Sequence, residues 1–239
     1  MRRMRTCTRG QRAALRWTAA AAAAAGTLAL AGCGQTQFGA AALYGNQRIS
    51  TAKLTAEVAN LNAAYQAAKA KVKPRYKTAD MPRQVLDWML RFATAEQVAK
   101  RLGITVTLAQ AQAQAQAETA RARQAGDTLS EAAVLNGLPP DLLPELGRWI
   151  AIQVKLQDRL DNGVPPRTNA AQQALLAKID QVQCLAAKSM RIRVNPQYGA
   201  YDYRQFAVVP VPSALSTVPT SPAGRASPAS PAPQLTPTC

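Results

Sequence analysis

Chemistry near neutral pH is most often carried by histidine, by activated cysteine or by closely spaced carboxylates, and this sequence is poor in all three. It holds 239 residues, no His, four Cys and thirteen Asp plus Glu. Without imidazole there is no Ser/His/Asp or Cys/His nucleophile system, no His general base, and no His-containing zinc or haem site. The acids are scattered. Asp158 and Asp161 come closest to a pair, but they stand three apart near an expected helix end, a common solvated arrangement. There is no Gly-rich phosphate loop and no metal-ligand spacing. The expectation is a non-enzymatic protein with no catalytic residue, no metal and no cofactor.

Cys33 is the thiol whose surroundings suggest a reaction. Six arginines (Arg2, Arg3, Arg5, Arg9, Arg12 and Arg16) precede an uncharged, mostly apolar stretch from Trp17 to Ala31. That stretch is about 15 residues, long enough for an export signal and short of the ~20 that a spanning helix needs. It closes on Leu30-Ala31-Gly32-Cys33, which resembles the lipobox of bacterial lipoproteins. The resemblance implies cleavage after residue 32, lipid modification of Cys33 and a signal peptide over 1–32. Two or three acyl chains, each buried CH₂ contributing ~0.8 kcal/mol, would hold the protein on the extracytoplasmic face of the cell membrane. Residues after Arg2 and Arg3 do not follow the twin-arginine pattern, so the general secretory route is the expected one.

Export changes what the charge means. The signal carries 6 of the 29 cations and no acid, so 23 cations face 13 acids in the mature chain, a net +10 over 207 residues. A basic cytosolic chain would suggest nucleic acid. Outside the cytosol the counterparts are anionic lipid headgroups or wall polymers, and the plain alternative is solvated helix faces. An oxidising compartment permits Cys184 and Cys239 to pair, but nothing in their spacing demands it.

The positioning elements read as helices. Hydrophobic residues are 48% of the chain, but Ala supplies 50 positions, so side chains large enough to fill a core are scarce. After a linker over 33–40, Ala41 to Tyr44 can form one strand closing on Gly45. Ser50 can cap a helix whose Leu54, Val58, Leu61, Tyr65, Ala68 and Val72 recur at steps of four and three. It is expected to end in the basic run Lys69, Lys71, Lys73, Arg75 and Lys77, where cations favour the helix dipole.

A second helix starts near Pro82 and stops at Gly103. Thr107 to Gln110 matches a capping box, opening a helix in which Ala and Gln alternate from Ala109 to Ala117. Propensity favours helix over strand there. The alternation leaves no large apolar stripe, so this element is expected to pack weakly and move readily. Thr128 to Glu131 is a second capping box. Pro139-Pro140-Asp141 opens a helix through Leu160, and Asn162 to Pro166 breaks it. A last helix runs from about Asn169 to Met190, followed by the one convincing strand signal, Arg191 to Val194. From Ala207 the sequence holds eight of the sixteen Pro and a single charge, so 207–239 reads as a disordered tail.

Several segments, in order, resemble the N-terminal region of SurA/PrsA-type foldases. Tyr44-Gly45-Asn46-Gln47-Arg48-Ile49-Ser50 is similar to the opening Asn-Gly-x-x-Ile-Thr of that family. Gly103-Ile104-Thr105-Val106-Thr107 is similar to the Leu-Gly-Ile-x-Val-Thr after its second helix, and Arg193 to Gly199 to the ending of such proteins. The resemblance covers about residues 41 to 202. Members with isomerase activity carry a parvulin domain of about 100 residues with an active-site His. Only Asp161 to Thr168 stands at that place here, so isomerase activity does not carry over. What the resemblance implies is a mainly α, chaperone-like domain over 41–206, in which the Leu43–Tyr44 segment pairs with 191–194 as a small two-stranded ribbon.

Client contact in such a module falls to large exposed apolar groups, and Tyr65, Trp88, Met89, Phe92, Trp149 and Ile150 are the ones available to line a groove. The alternative for each is ordinary core. The functional expectation is a holdase-like lipoprotein binding unfolded or exported polypeptides, with no nucleic-acid partner. An envelope adaptor contacting anionic wall polymers is the competing one.

Overall fold

Ala40, Ala41 and Ala42 are small enough to lie buried beneath helices, and they begin β1 (Ala40–Tyr44). The computed structural model describes residues 39–211. The signal segment, Cys33, most of the linker and residues 212–239 lie outside the described residues. Ala40 belongs to the strand rather than to the linker.

β1 turns at Gly45 into β2 (Gln47–Ser50), pairing antiparallel with Ala42 opposite Ile49 and Tyr44 opposite Gln47. On its other side it takes β3 (Arg193–Val194), with Ala42 opposite Val194 and Leu43 opposite Arg193. The two ends of the helical region therefore meet as expected. The ribbon has three strands rather than two, in the order β2-β1-β3, because the residues after Gly45 fold back before the first helix starts. Asn195 fastens the junction: its backbone N–H donates to Ala41 O at 2.9 Å, and its Nδ2 to Ala40 O at 3.3 Å.

The molecule is mainly helical. α1 (Thr51–Ala68) starts where the Ser50 hydroxyl accepts from Lys53 N, and it buries Leu54 and Leu61. It stops at Ala68, before the basic run, and its last turn holds no cation. The run was expected on the helix end. It lies beyond it, where Val72 is buried in the core and Pro74 bars further helix. A 3₁₀ turn (Thr78–Asp80) leads into α2 (Met81–Leu102), which has Pro82 in its first turn and ends at a left-handed Gly103.

α3 (Leu108–Gln124) and α4 (Leu129–Leu135) both open on complete capping boxes, from Thr107 with Gln110 and from Thr128 with Glu131. Pro140–Leu142 forms a 3₁₀ turn before α5 (Leu143–Leu160), and α6 (Asn169–Met190) is capped by Thr168. α3 does not pack weakly. A Cβ built on Gly147 of α5 would stand 2.5 Å from Ala111 O and 3.0 Å from Ala115 Cβ of α3. Alanine on one helix and glycine on the other let the backbones approach closely, and the periodicity of large residues could not register that.

Past β3 the chain makes a hairpin of β4 (Ala200–Asp202) and β5 (Ala207–Val209), pairing Tyr201 with Val208. The folded region thus runs past residue 206, and the tail does not begin at Ala207. The reason is a long-range bond: Val208 N–H donates to Asp87 Oδ1 at 2.9 Å. The main core joins Leu54 and Leu61 of α1, Val85, Leu86 and Leu90 of α2, Val134 of α4, and Leu138, and it extends to Tyr201 and Val208. A second, smaller cluster joins Val98, Leu156 and Ile179 of α2, α5 and α6.

Candidate functional site

One face of α2 changes character along its length. Met89, Phe92, Ala93, Glu96, Gln97 and Lys100 recur at helical steps, apolar at the start and charged at the end. This face forms one wall of an open cavity of about 780 Å³. α5 supplies the facing wall with Glu145, Arg148 and Trp149, and the β1–β2 hairpin closes one side with Tyr44, Arg48 and Ile49.

Of the six side chains the sequence singles out, three share this cavity: Met89, Phe92 and Trp149. Trp88 stands behind them. Its ring meets Trp149 edge-on with centroids 6.0 Å apart and Phe92 tilted at 5.7 Å. Its indole N–H donates to Asn136 O at 3.0 Å, and the Arg91 guanidinium lies 5.6 Å from the ring centre. Trp88 therefore braces the aromatic wall instead of facing the opening. Tyr65 packs half-buried against the main core from α1, away from the cavity, and Ile150 is half-buried on α5 and also off its wall. Cys33 lies outside the described residues.

The rim is built from charges. Arg148 is held between two partners: its guanidinium binds both Glu96 carboxylate oxygens, Nη2 at 2.9 Å, and Nη1 donates to Val106 O at 3.1 Å. The Glu96 carboxylate raises the already high pKa of Arg148 against a smaller desolvation effect. Arg48, Lys53 and Lys100 stand exposed on the same rim and form no ion pair among the described residues, while Glu145 is the remaining acid there. The cavity thus offers an aromatic and thioether floor under a rim with more cations than anions. Large-residue reasoning found the floor. It missed the rim, whose signal was the continuation of the Met89–Phe92 spacing into Glu96 and Lys100.

Asp87 is a second feature the sequence did not single out. It is 5% exposed and accepts from Val208 N–H and from Arg91 Nε at 2.7 Å. Burial raises its pKa, and the Arg91 charge and the Val208 N–H pull against that. Nearby, burial pushes Tyr201 up to about 12. These groups tie α2 to the β4–β5 hairpin and lie apart from the cavity lining. Among the described residues no group of three or more His, Cys, Asp or Glu is placed to hold a metal, and no helix is long and apolar enough to cross a membrane. Cys184 on α6 is buried and disulfide-bonded.

The fold and cavity define a small helical domain whose first described strand pairs with β3, beyond the last helix, and which carries an open cavity with an apolar floor. Compared with family models, with curated proteins and with solved structures, the chain matches none.

Proposed function

We propose that the protein is a lipid-anchored, non-enzymatic module of the SurA N-terminal type, lacking a parvulin domain, that holds exported polypeptides outside the cytosol. The observation that carries this reading is the sharing of one open cavity by Met89, Phe92 and Trp149. Apolar side chains of an extended client rest on that floor, and acidic client residues meet Arg48, Lys53 and Lys100. The β1–β3 pairing supports the family assignment, since it joins the N- and C-terminal segments as that resemblance implies. The anchor is the acylated Cys33.

The test is the light scattering of a chemically denatured client diluted into the mature protein. Wild type lowers the scattering, and Phe92→Ser with Trp149→Ser loses that effect, each aromatic contact being worth ~2 kcal/mol or about thirtyfold in affinity at a hot spot. Scattering unchanged by wild type would sink the proposal.

A second reading is favoured by one observation. Lys69, Lys71, Lys73, Arg75 and Lys77 are all exposed within the segment after α1. An adaptor contacting anionic wall polymers or lipids would use them. Strong polymer binding that collapses with salt, alongside indifference to clients, would select this reading.

A further inference from the structure

The cavity meets the small sheet along an edge. Gln47, Arg48 and Ile49 of β2 all line it, yet successive side chains of a strand point to opposite faces. A cavity that touches each residue in turn lies alongside the strand, not against one of its faces. β2 ends the sheet in the order β2-β1-β3, so its side away from β1 is the open one. The hairpin decides which peptide groups lie there. Gly45 has φ 53° and Asn46 has no positive φ, the pattern of a two-residue type II′ turn. Tyr44 and Gln47 are then a hydrogen-bonded pair, Leu43 and Arg48 a non-hydrogen-bonded pair, and Ala42 and Ile49 a bonded pair again. The other side of β1 agrees: Leu43 pairs with Arg193, and Ala41 O accepts from Asn195 N–H, so Ala41 and Leu43 turn their peptide groups to β3. Arg48 accordingly directs its N–H and C=O outward, along the cavity.

We infer that an extended client segment adds to β2 as a further antiparallel strand, one client residue exchanging both hydrogen bonds with Arg48, and that the preferred segment reads apolar, acidic, apolar. The inference rests on the proposed client binding and specifies its chemistry. β1 pairs antiparallel on both sides, and an added strand continues that pattern. Main-chain bonds give an open edge affinity for extended chain, while alternate side chains give selectivity. A helical segment has no such groups to give, since its own are paired internally. The client residue opposite Arg48 shares that residue's face of the sheet. Arg48 is exposed there and forms no ion pair among the described residues, so a carboxylate belongs at that position. Its two neighbours project to the face of Ile49, which is buried in the same core as Met89, with Phe92 packed against it. Met89 and Phe92 belong to the cavity floor, so large apolar side chains belong at those two positions.

The probe is a fluorescein-labelled peptide, Gly-Ser-Phe-Glu-Phe-Ser-Gly, titrated into the full mature protein and read by anisotropy, beside three versions that each carry one backbone N-methyl group, on Glu or on either Phe. Methylation at Glu removes the N–H offered to Arg48 O and weakens binding about tenfold, whereas at either Phe, whose N–H faces away from β2, it changes affinity less than about threefold. On the protein side, Arg48→Pro and Arg48→Ala lose the same charge, but only Pro also removes the outward N–H, at an edge position that accepts Pro. Arg48→Pro should bind about tenfold more weakly than Arg48→Ala. Equal affinity of the three methylated peptides overturns the added strand, whether or not Arg48→Pro folds. If the peptide binds and Phe92→Ser with Trp149→Ser abolishes that binding, such equality leaves the client reading standing. A denatured client that is held while the peptide is ignored overturns the added strand alone, and indifference to both overturns both.

Discussion

Two helix interfaces in this protein answer a shortage of large side chains in opposite ways. Where α1, α2 and α4 meet, Leu54, Leu61, Leu86, Leu90 and Val134 are sealed from solvent and fill the space between the helices. Where α3 meets α5, the buried residues of α3 are Ala111 and Ala122, and closeness replaces bulk: Gly147 admits the Ala111 carbonyl. The first interface is stabilised mainly by apolar area removed from water. The second is stabilised by dense contact between near-bare backbones, with little area per side chain. An alanine-rich sequence can support both, and they should fail differently.

The largest loss should come from the bulky interface. Leu90→Ala removes a fully buried side chain and should cost about 3 kcal/mol, the transfer term plus the cavity left behind. The denaturation midpoint should fall with the slope unchanged. A loss under about 1 kcal/mol would mean the Leu-rich core is loosely packed.

Next is the polar tie on the other side of α2. Asp87→Ala removes the acceptor for Val208 N–H and leaves Arg91 without its carboxylate, a loss of about 2 kcal/mol. Its pH dependence has a definite sign. The folded pKa lies above the ordinary 3.8, so the folded state binds the proton more tightly than the unfolded one. The advantage of wild type over Asp87→Ala is full below about pH 3.8 and declines as pH rises through the folded pKa. Melting temperatures of both proteins from pH 3 to 7 check this, and an advantage that grows over that window contradicts it.

What could be read in advance follows the same division. Elements marked by local chemistry were legible: the capping boxes at Thr107 and Thr128, Pro82 at the start of α2, and the span of α6. So was the pairing of Leu43 with Arg193, through the order of motifs. The cavity floor was legible because large residues are rare enough to be noticed, although only three of the six chosen, Met89, Phe92 and Trp149, line it. The β4–β5 hairpin was not, since its anchor is a bond between residues 121 positions apart. The α3–α5 contact was not either, because a helix of Ala and Gln has no stripe, and nothing local shows that Gly147 will face it.

Gly147→Ala separates the two mechanisms most sharply. In a helix bound only by area, this change should stabilise by ~1 kcal/mol through propensity. Here the new methyl meets a backbone oxygen at 2.5 Å, which cannot rotate away, so overpacking of about 1–3 kcal/mol should exceed that gain. The expected net loss is about 1 kcal/mol in urea unfolding. A stabilised variant would show that α3 and α5 are not in close contact.

The smallest effect tests how much each helix depends on its own terminus. Thr107 Oγ1 accepts from Gln110 N at 3.2 Å while Gln110 Oε1 accepts from Thr107 N at 3.0 Å. Gln110 Oε1 also accepts from Lys155 Nζ at 2.8 Å, so the cap is bound to α5 as well. Ser50 caps α1 with a single bond to Lys53 N, and Leu54 is buried one turn on. Removing either hydroxyl forfeits ~0.5–1 kcal/mol of capping, but the consequences should differ. α1 stays pinned by Leu54, whereas the first large residue of α3, Leu108, is 74% exposed and pins nothing. Thr107→Ala should therefore speed amide exchange through the first turn of α3 more than Ser50→Ala does in α1. Equal acceleration at both termini would mean that close backbone packing against α5 holds α3 as firmly as a buried leucine holds α1.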